Sequence, residues 1–156
     1  MTTIGHVFQI NVSDGSVPKQ GIHSSEITDA GLSEDRVGNP KKQSGSSSAL
    51  CLYSLEKILA LQKEGHPIFP GSCGENLTLT GIEWEDVKIG TRLKIGKDIL
   101  IEITGYCKPC AKIIGSFKGG DITRVFQESN PGWSRVYARV LSPGKVNIGD
   151  EVIITG

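Results

Sequence analysis

The chain has 156 residues, 37% of them apolar, with seventeen basic side chains balancing seventeen acidic ones. That length buries a core without help from disulfides, and zero net charge offers no broad footprint for nucleic acid or an anionic membrane surface. No apolar run reaches the length of a membrane-spanning helix, and the opening MTTIGHVFQINV lacks the basic flank and cleavage site of a signal peptide; the expectation is one soluble, cytoplasmic domain over residues 1–156.

His6 to Val12 reads as a strand, with Val7, Ile10 and Val12 apolar and Phe8 on the other face. Gly15-Ser16-Val17-Pro18 is a turn, and Ile22 to Ile27 predicts a second strand. Residues 29–48 are polar and rich in Gly, Ser and Asn. That composition favours a disordered loop over one that closes on a ligand. Ala49 to Tyr53 is a short apolar strand. Ser54 then caps a helix carried by Leu55, Ile58, Leu59 and Gln62, which Gly65 and Pro67 stop. Leu77 to Thr80 is a strand broken by Gly81.

The second half is β-rich. Arg92 to Ile95, the turn Gly96-Lys97-Asp98 and Ile99 to Thr104 form a hairpin. Asp121 caps a helical turn through Phe126. Ser134 to Leu141 and Val146 to Ile154 are further strands. VKIGTRLKI, from Val87 to Ile95, is echoed by VNIGDEVII, from Val146 to Ile154; at nine residues this is a shared hairpin solution rather than a duplication. Many short strands with one convincing helix predict a mainly β fold, a closed barrel with a few peripheral helices.

The cysteines are Cys51, Cys73, Cys107 and Cys110, the last two framing Cys107-Lys108-Pro109-Cys110. A structural zinc site needs a second close pair; none exists, so no structural zinc is expected. Thiol-disulfide exchange at Cys107/Cys110 has the thioredoxin-like proline, but the surrounding chain is β rather than a thioredoxin pattern. In a third reading only Cys110 works. Pro109, the neighbouring Lys108 and Lys112, and a helical turn starting at Ala111 favour its thiolate. A thiolate attacks electrophilic sulfur or binds a soft metal. Spacing alone favours a fourth reading, Cys110 as a small buried hydrophobe.

A series of motifs in order changes that balance: Ala49-Leu50-Cys51-Leu52-Tyr53-Ser54, Pro70-Gly71-Ser72-Cys73-Gly74-Glu75-Asn76-Leu77-Thr78, Pro109-Cys110-Ala111-Lys112-Ile113, Gly132-Trp133-Ser134-Arg135-Val136-Tyr137-Ala138-Arg139-Val140 and Gly149-Asp150-Glu151-Val152. From about Ile4 to its end the chain resembles the MOSC family, named after the C-terminal domain of molybdenum cofactor sulfurase, in its stand-alone bacterial form. The resemblance implies a closed β-barrel and a role around molybdenum cofactor (molybdopterin). It places the family's single cysteine at Cys110, as a persulfide carrier or as a molybdenum ligand. It leaves Cys107 outside the pattern.

A phosphorylated pterin needs cations, hydroxyls and free amides. Arg36, Ser48, Glu75, Asn76 and Arg135 are the candidate cofactor-binding residues. Glu75 and Asn76 could equally brace the turn into the next strand, and Arg135 with Arg139 could be a solvated strand face. Many relatives carry Gly-Asp-Arg-His and, later, His-x-Gly-Gly with an arginine before the Ala-Leu strand. Here those stretches read Glu34-Asp35-Arg36-Val37 and Gln43-Ser44-Gly45-Ser46-Ser47-Ser48-Ala49. The lost histidines and arginine weaken the expected grip on cofactor.

The expected function is a molybdenum-cofactor-associated sulfur carrier or transfer protein acting through Cys110. The alternatives are a non-catalytic cofactor-binding adaptor and a molybdenum-dependent reductase of N-hydroxylated compounds. The partners implied are a sulfur donor, or a molybdoenzyme or electron-transfer protein, because the chain has no flavin, haem or iron–sulfur motif. No lysine has a pyridoxal-phosphate context.

Overall fold

The computed structural model describes residues 4–13, 17–35 and 45–156. Eleven strands run in order: β1 (Ile4–Val12), β2 (Gln20–Ile22), β3 (Ser24–Thr28), β4 (Gly31–Leu32), β5 (Leu50–Ser54), β6 (Leu77–Thr80), β7 (Arg92–Ile95), β8 (Ile99–Tyr106), β9 (Val136–Ser142), β10 (Gly144–Asn147) and β11 (Glu151–Ile154). Among the described residues the one α-helix is α1 (Leu55–Lys63), which follows β5 directly.

The neighbours run β11-β7-β8-β9-β5-β6-β1, and β1 pairs back onto β11, so seven strands close a ring. β2 adds to β1 outside that ring. Only β5 and β6 run parallel, joined by α1 and the turn-rich 64–76 segment. Closure removes the free edges a small sheet would expose. The barrel interior is apolar: Ile10, Leu50, Leu52, Leu77, Leu93, Ile95, Ile101, Val136, Ala138 and Val152 have no exposed surface.

β1 shows why its apolar spacing is irregular. Val7 and Ile10 both point inward although they are three apart, because the register against β6 shifts between Val7 and Gln9. A bulge of this kind lets one strand carry an extra residue. α1 forms as its sequence predicts: the Ser54 hydroxyl accepts from the Lys57 amide at 3.2 Å. Its buried face is Ile58 and Leu61, while Leu59 is exposed.

Two expected strands divide. The Ile22 to Ile27 segment breaks at His23 into β2 and β3, and the Val146 to Ile154 segment breaks at Gly149-Asp150 into β10 and β11. In each case one half stays with the barrel. β3 and β10 pair with each other and with β4 in a small second sheet. The two echoing nonapeptides end as direct neighbours, Ile95 opposite Val152. The 29–48 stretch, expected as disordered, is ordered where it is described. β4 lies within it, and residues 45–48 dock on β8, where the Thr104 hydroxyl donates to the Ser47 carbonyl.

Candidate functional site

Cys51 and Tyr53 alternate with the inward Leu50 and Leu52, so they face out of the barrel wall. Even so, all of β5 is buried. The segment after α1, residues 68–76, covers that outer face. It is tied to β5 by Asn76: its amide N donates to the Cys51 carbonyl at 2.7 Å, and its Oδ1 accepts from the Cys51 amide at 2.8 Å. The Asn76 Nδ2 donates to Asp35 at 2.9 Å. Asp35 also accepts from Lys19 Nζ at 2.6 Å and from the Ser13 amide at 2.9 Å. Asn76 therefore braces β5 through its backbone amide and Oδ1, and Asp35 through Nδ2.

Glu75 is fully buried, with Oε2 accepting from the Gly71 amide and the Thr78 hydroxyl, both at 3.0 Å. Its Oε1 has no partner. Burial pushes this carboxyl above its ordinary range against the pull of those hydrogen bonds and of Arg135. Arg135 is not a solvated face. It lies just before β9 and is 8% exposed, where Arg139 within that strand is half-buried. Its Nη1 donates to the Cys73 carbonyl at 2.6 Å, and its Nε has no partner. Burial disfavours the guanidinium charge, yet the surrounding thiols and Glu75 raise its pKa further above the ordinary value. An isolated buried cation would be expensive; here the nearby acidic groups offset the desolvation.

Those thiols are what the sequence reading missed. Cys107 lies one residue past β8, its amide donating to the Arg135 carbonyl at 2.9 Å. Its Sγ is 3.4 Å from the Sγ of Cys51, close enough for the two to share one proton. The hydrogen bond shared with Cys107 lowers the Cys51 pKa in spite of burial, with Arg135 assisting. Burial and the adjacent Cys51 push Cys107 the other way. Cys73 is a separate case. Burial, then the Glu75 charge, push its thiol up to about 12.

Cys110 is the only exposed cysteine of the four. It stands at the N-terminal edge of a 3-10 turn, Ala111–Ser116, and its carbonyl accepts from the Ile113 amide at 3.1 Å. Pro109 before it is buried, while Lys108 and Lys112 are exposed. No hydrogen bond joins the Cys110 side chain to the buried thiols. Ser48, half-buried, shares a hydrogen bond with Ser46 at 3.3 Å. Arg36 falls outside the described residues. The predicted residues therefore form two groups: Glu75, Asn76 and Arg135 in one buried layer, and Cys110 on a separate exposed turn.

The segment that leads into β9 is held by Trp133, which lies between Lys57 Nζ at 4.1 Å and the Arg124 guanidinium at 4.0 Å. Its carbonyl accepts from the Tyr53 hydroxyl at 2.6 Å. An open cleft of about 320 Å³ lies beside it, lined among others by Trp84, Lys88, Tyr106, Gln127 and Ser134. Tyr106 and Ser134 are the residues just before Cys107 and Arg135.

Residues 39–153 match the MOSC domain family. The chain belongs to the MOSC family. That family is associated with molybdenum cofactor enzymes and is related to the C-terminal part of molybdenum cofactor sulfurase. Protein YiiM of Escherichia coli is 31% identical over 130 residues, covering 78% of this chain and 54% of that protein. A protein of Gibberella moniliformis named "Reductase" is 35% identical over 83 residues, covering 53% of this chain and 14% of that protein. The chain thus spans about half or less of these curated relatives. Among solved structures, YiiM from Geobacillus stearothermophilus superposes with a TM-score of 0.75 at 23% identity, covering 97% of this chain and 75% of that one. The YUAD protein from Bacillus subtilis superposes with a TM-score of 0.74 at 18% identity, covering 99% and 97%. These likenesses show the MOSC barrel. No helix among the described residues is long and apolar enough to cross a membrane.

Against molybdenum cofactor, the residues fit in part. Cys110 supplies an exposed soft donor. At the phosphate end, Asn76 is taken up in bracing β5 and Asp35, Glu75 carries the wrong sign when ionised, and Arg135 spends Nη1 on Cys73 while its Nε has no partner among the described residues. Among the described residues, no group of three or more His, Cys, Asp or Glu side chains is placed to hold a metal ion.

Proposed function

We propose that this MOSC domain carries sulfur at Cys110 in the service of molybdenum cofactor chemistry. The observation that supports it is the accessibility contrast: Cys51, Cys73 and Cys107 are buried and Cys110 is exposed. A carrier must meet its donor and its acceptor, so the thiol has to reach the surface. In the loading step, the Cys110 thiolate attacks the terminal sulfur of a donor persulfide. The donor's S–S bond breaks, the donor leaves as a thiolate, and Cys110 holds the sulfur as a persulfide anion. No electrons are gained or lost, so the step needs no redox cofactor. The exposed Lys108 and Lys112 flank the anion in sequence.

Weak engagement of the pterin goes with this reading, since the charged donor of the buried layer, Arg135, is 8% exposed and already spends Nη1 on the Cys73 carbonyl. A second reading, a molybdenum-dependent reductase supplied with electrons by another protein, draws on the relative named "Reductase". The test is intact-mass analysis after incubation with a low-molecular-weight persulfide. The expected product is one sulfur heavier, is lost in Cys110→Ser and is kept in Cys107→Ala. Loading that survives Cys110→Ser overturns the assignment. Stoichiometric molybdenum in protein from a molybdenum-replete host favours the reductase reading.

A further inference from the structure

Cys51 and Cys107 have no part in the sulfur-carrier step, yet their geometry is the most chemically specific in the molecule. Their sulfurs are 3.4 Å apart and buried, and the charge of Arg135 acts on both. We propose that this pair is an oxidation site, a buried dithiol that closes to a Cys51–Cys107 disulfide when a hydroperoxide reaches it. The inference does not depend on what Cys110 carries.

The chemistry balances with hydrogen peroxide as oxidant. The Cys51 thiolate attacks one peroxide oxygen, the O–O bond breaks, and the departing hydroxide takes a proton to leave as water. Cys51 is now a sulfenic acid. The Cys107 sulfur attacks the Cys51 sulfur, the S–O bond breaks, and a second water leaves with the proton from Cys107. Two thiols lose two electrons and two protons, and peroxide is reduced to two waters.

Three features fit each sulfur to its step. The hydrogen bond shared with Cys107 and the charge of Arg135 lower the Cys51 pKa and favour the attacking thiolate. Cys51 retains 8% exposure, and the exposed Tyr137 is its register partner on β9, so a small oxidant has a short path. The third feature is proximity. β5 and β8 flank β9 on opposite sides, so the bond is not a simple cross-strand bridge. Going from 3.4 Å to a disulfide needs about 1.4 Å of approach. Asn76 holds the Cys51 backbone, and the Arg135 carbonyl and Ser134 hydroxyl hold that of Cys107, so rotation of the two side chains supplies the approach.

The experiment treats the full chain with hydrogen peroxide, alkylates the remaining thiols and maps the peptides by mass spectrometry. Two of the four thiols should be lost, with one linked peptide pair containing Cys51 and Cys107. Dithiothreitol should restore both thiols, and Cys110 should remain open to alkylation until higher peroxide. Cys51→Ala and Cys107→Ala should each abolish the link. Because either variant could fail to fold, Cys110→Ser is the second background: its exposed site leaves the fold alone, and the 51–107 link should form as in wild type. A 107–110 link, a link that disappears in Cys110→Ser, or Cys51 and Cys107 still fully alkylatable after peroxide has consumed Cys110 would each overturn the proposal.

Discussion

Two sulfur regions lie three residues apart in sequence and differ in nearly every physical respect. Around Cys107 the thiols are buried, an arginine and a glutamate share the layer, and Asn76 fixes the neighbouring backbone at both ends. Around Cys110 the side chain is in water, the flanking lysines are free, and the backbone starts a short 3-10 turn. The difference teaches which residues carry folding and which are available for chemistry. A buried charge layer must be balanced internally, so each member depends on the others. An exposed thiol has no such dependents.

The sharpest way to break the comparison is at Arg135. Arg135→Leu removes the cation that the buried Glu75, Cys51 and Cys73 face, and should cost about 3–5 kcal/mol in urea denaturation. A loss within the range of surface substitutions would mean that the layer is not coupled. Asn76→Ala comes next. It orphans the buried Cys51 amide and frees Asp35, for about 1–3 kcal/mol by the same measurement; an unchanged midpoint would return Asn76 to the list of ligand residues.

Glu75 gives a dependence on pH. Folding raises its pKa above the ordinary 4.5, so the folded state keeps this proton longer than the unfolded chain does. The stability from this group is complete below pH 4.5 and is lost as pH rises through the folded value. Glu75→Gln has no proton to lose, so its stability relative to wild type should improve as pH climbs past 4.5. A difference that stays flat with pH would refute the raised value. The smallest effect on stability belongs to Cys110→Ser, within about 0.5 kcal/mol, although the same change should end sulfur loading. If it unfolds the protein, the exposed turn is part of the core after all.

The strands that alternate cleanly could be read directly. Arg92 to Thr104 gives its hairpin because Leu93, Ile95, Ile99, Ile101 and Ile103 share one face. Ser54 gives its cap because a hydroxyl before a helical run has one obvious amide to accept. The second sheet was hidden, because β3 and β10 are continuous in sequence with barrel strands and separate from them only at turns around His23 and Gly149. Within the site, the exposure of Cys110 could not be read from its spacing, which favours a buried hydrophobe, and only the family resemblance singles the residue out. Nor could the Cys51–Cys107 contact be read, since it joins residues 56 positions apart whose neighbours in sequence say nothing of each other. One local clue existed: in ALCLY, Cys51 falls on the phase opposite Leu50 and Leu52, where an outward small residue needs a cover. Arg135 sits in a similarly ambiguous phase, and only the 68–76 segment lying over it makes it buried.

The ring of seven strands has a consequence in time as well as in space. β1 and β11, nearly the whole described chain apart, are direct neighbours, and β11 also completes β7. Until β11 arrives, β1 and β7 each present an unpaired edge, and the apolar interior stands open along one seam. Contacts of such long sequence separation form late, since their loop closure must precede their reward. A ribosome making this chain therefore extrudes a sheet that cannot shut until β11 has emerged. For that interval the nascent barrel is most exposed to pairing with a neighbour, and to chaperones that bind open β edges.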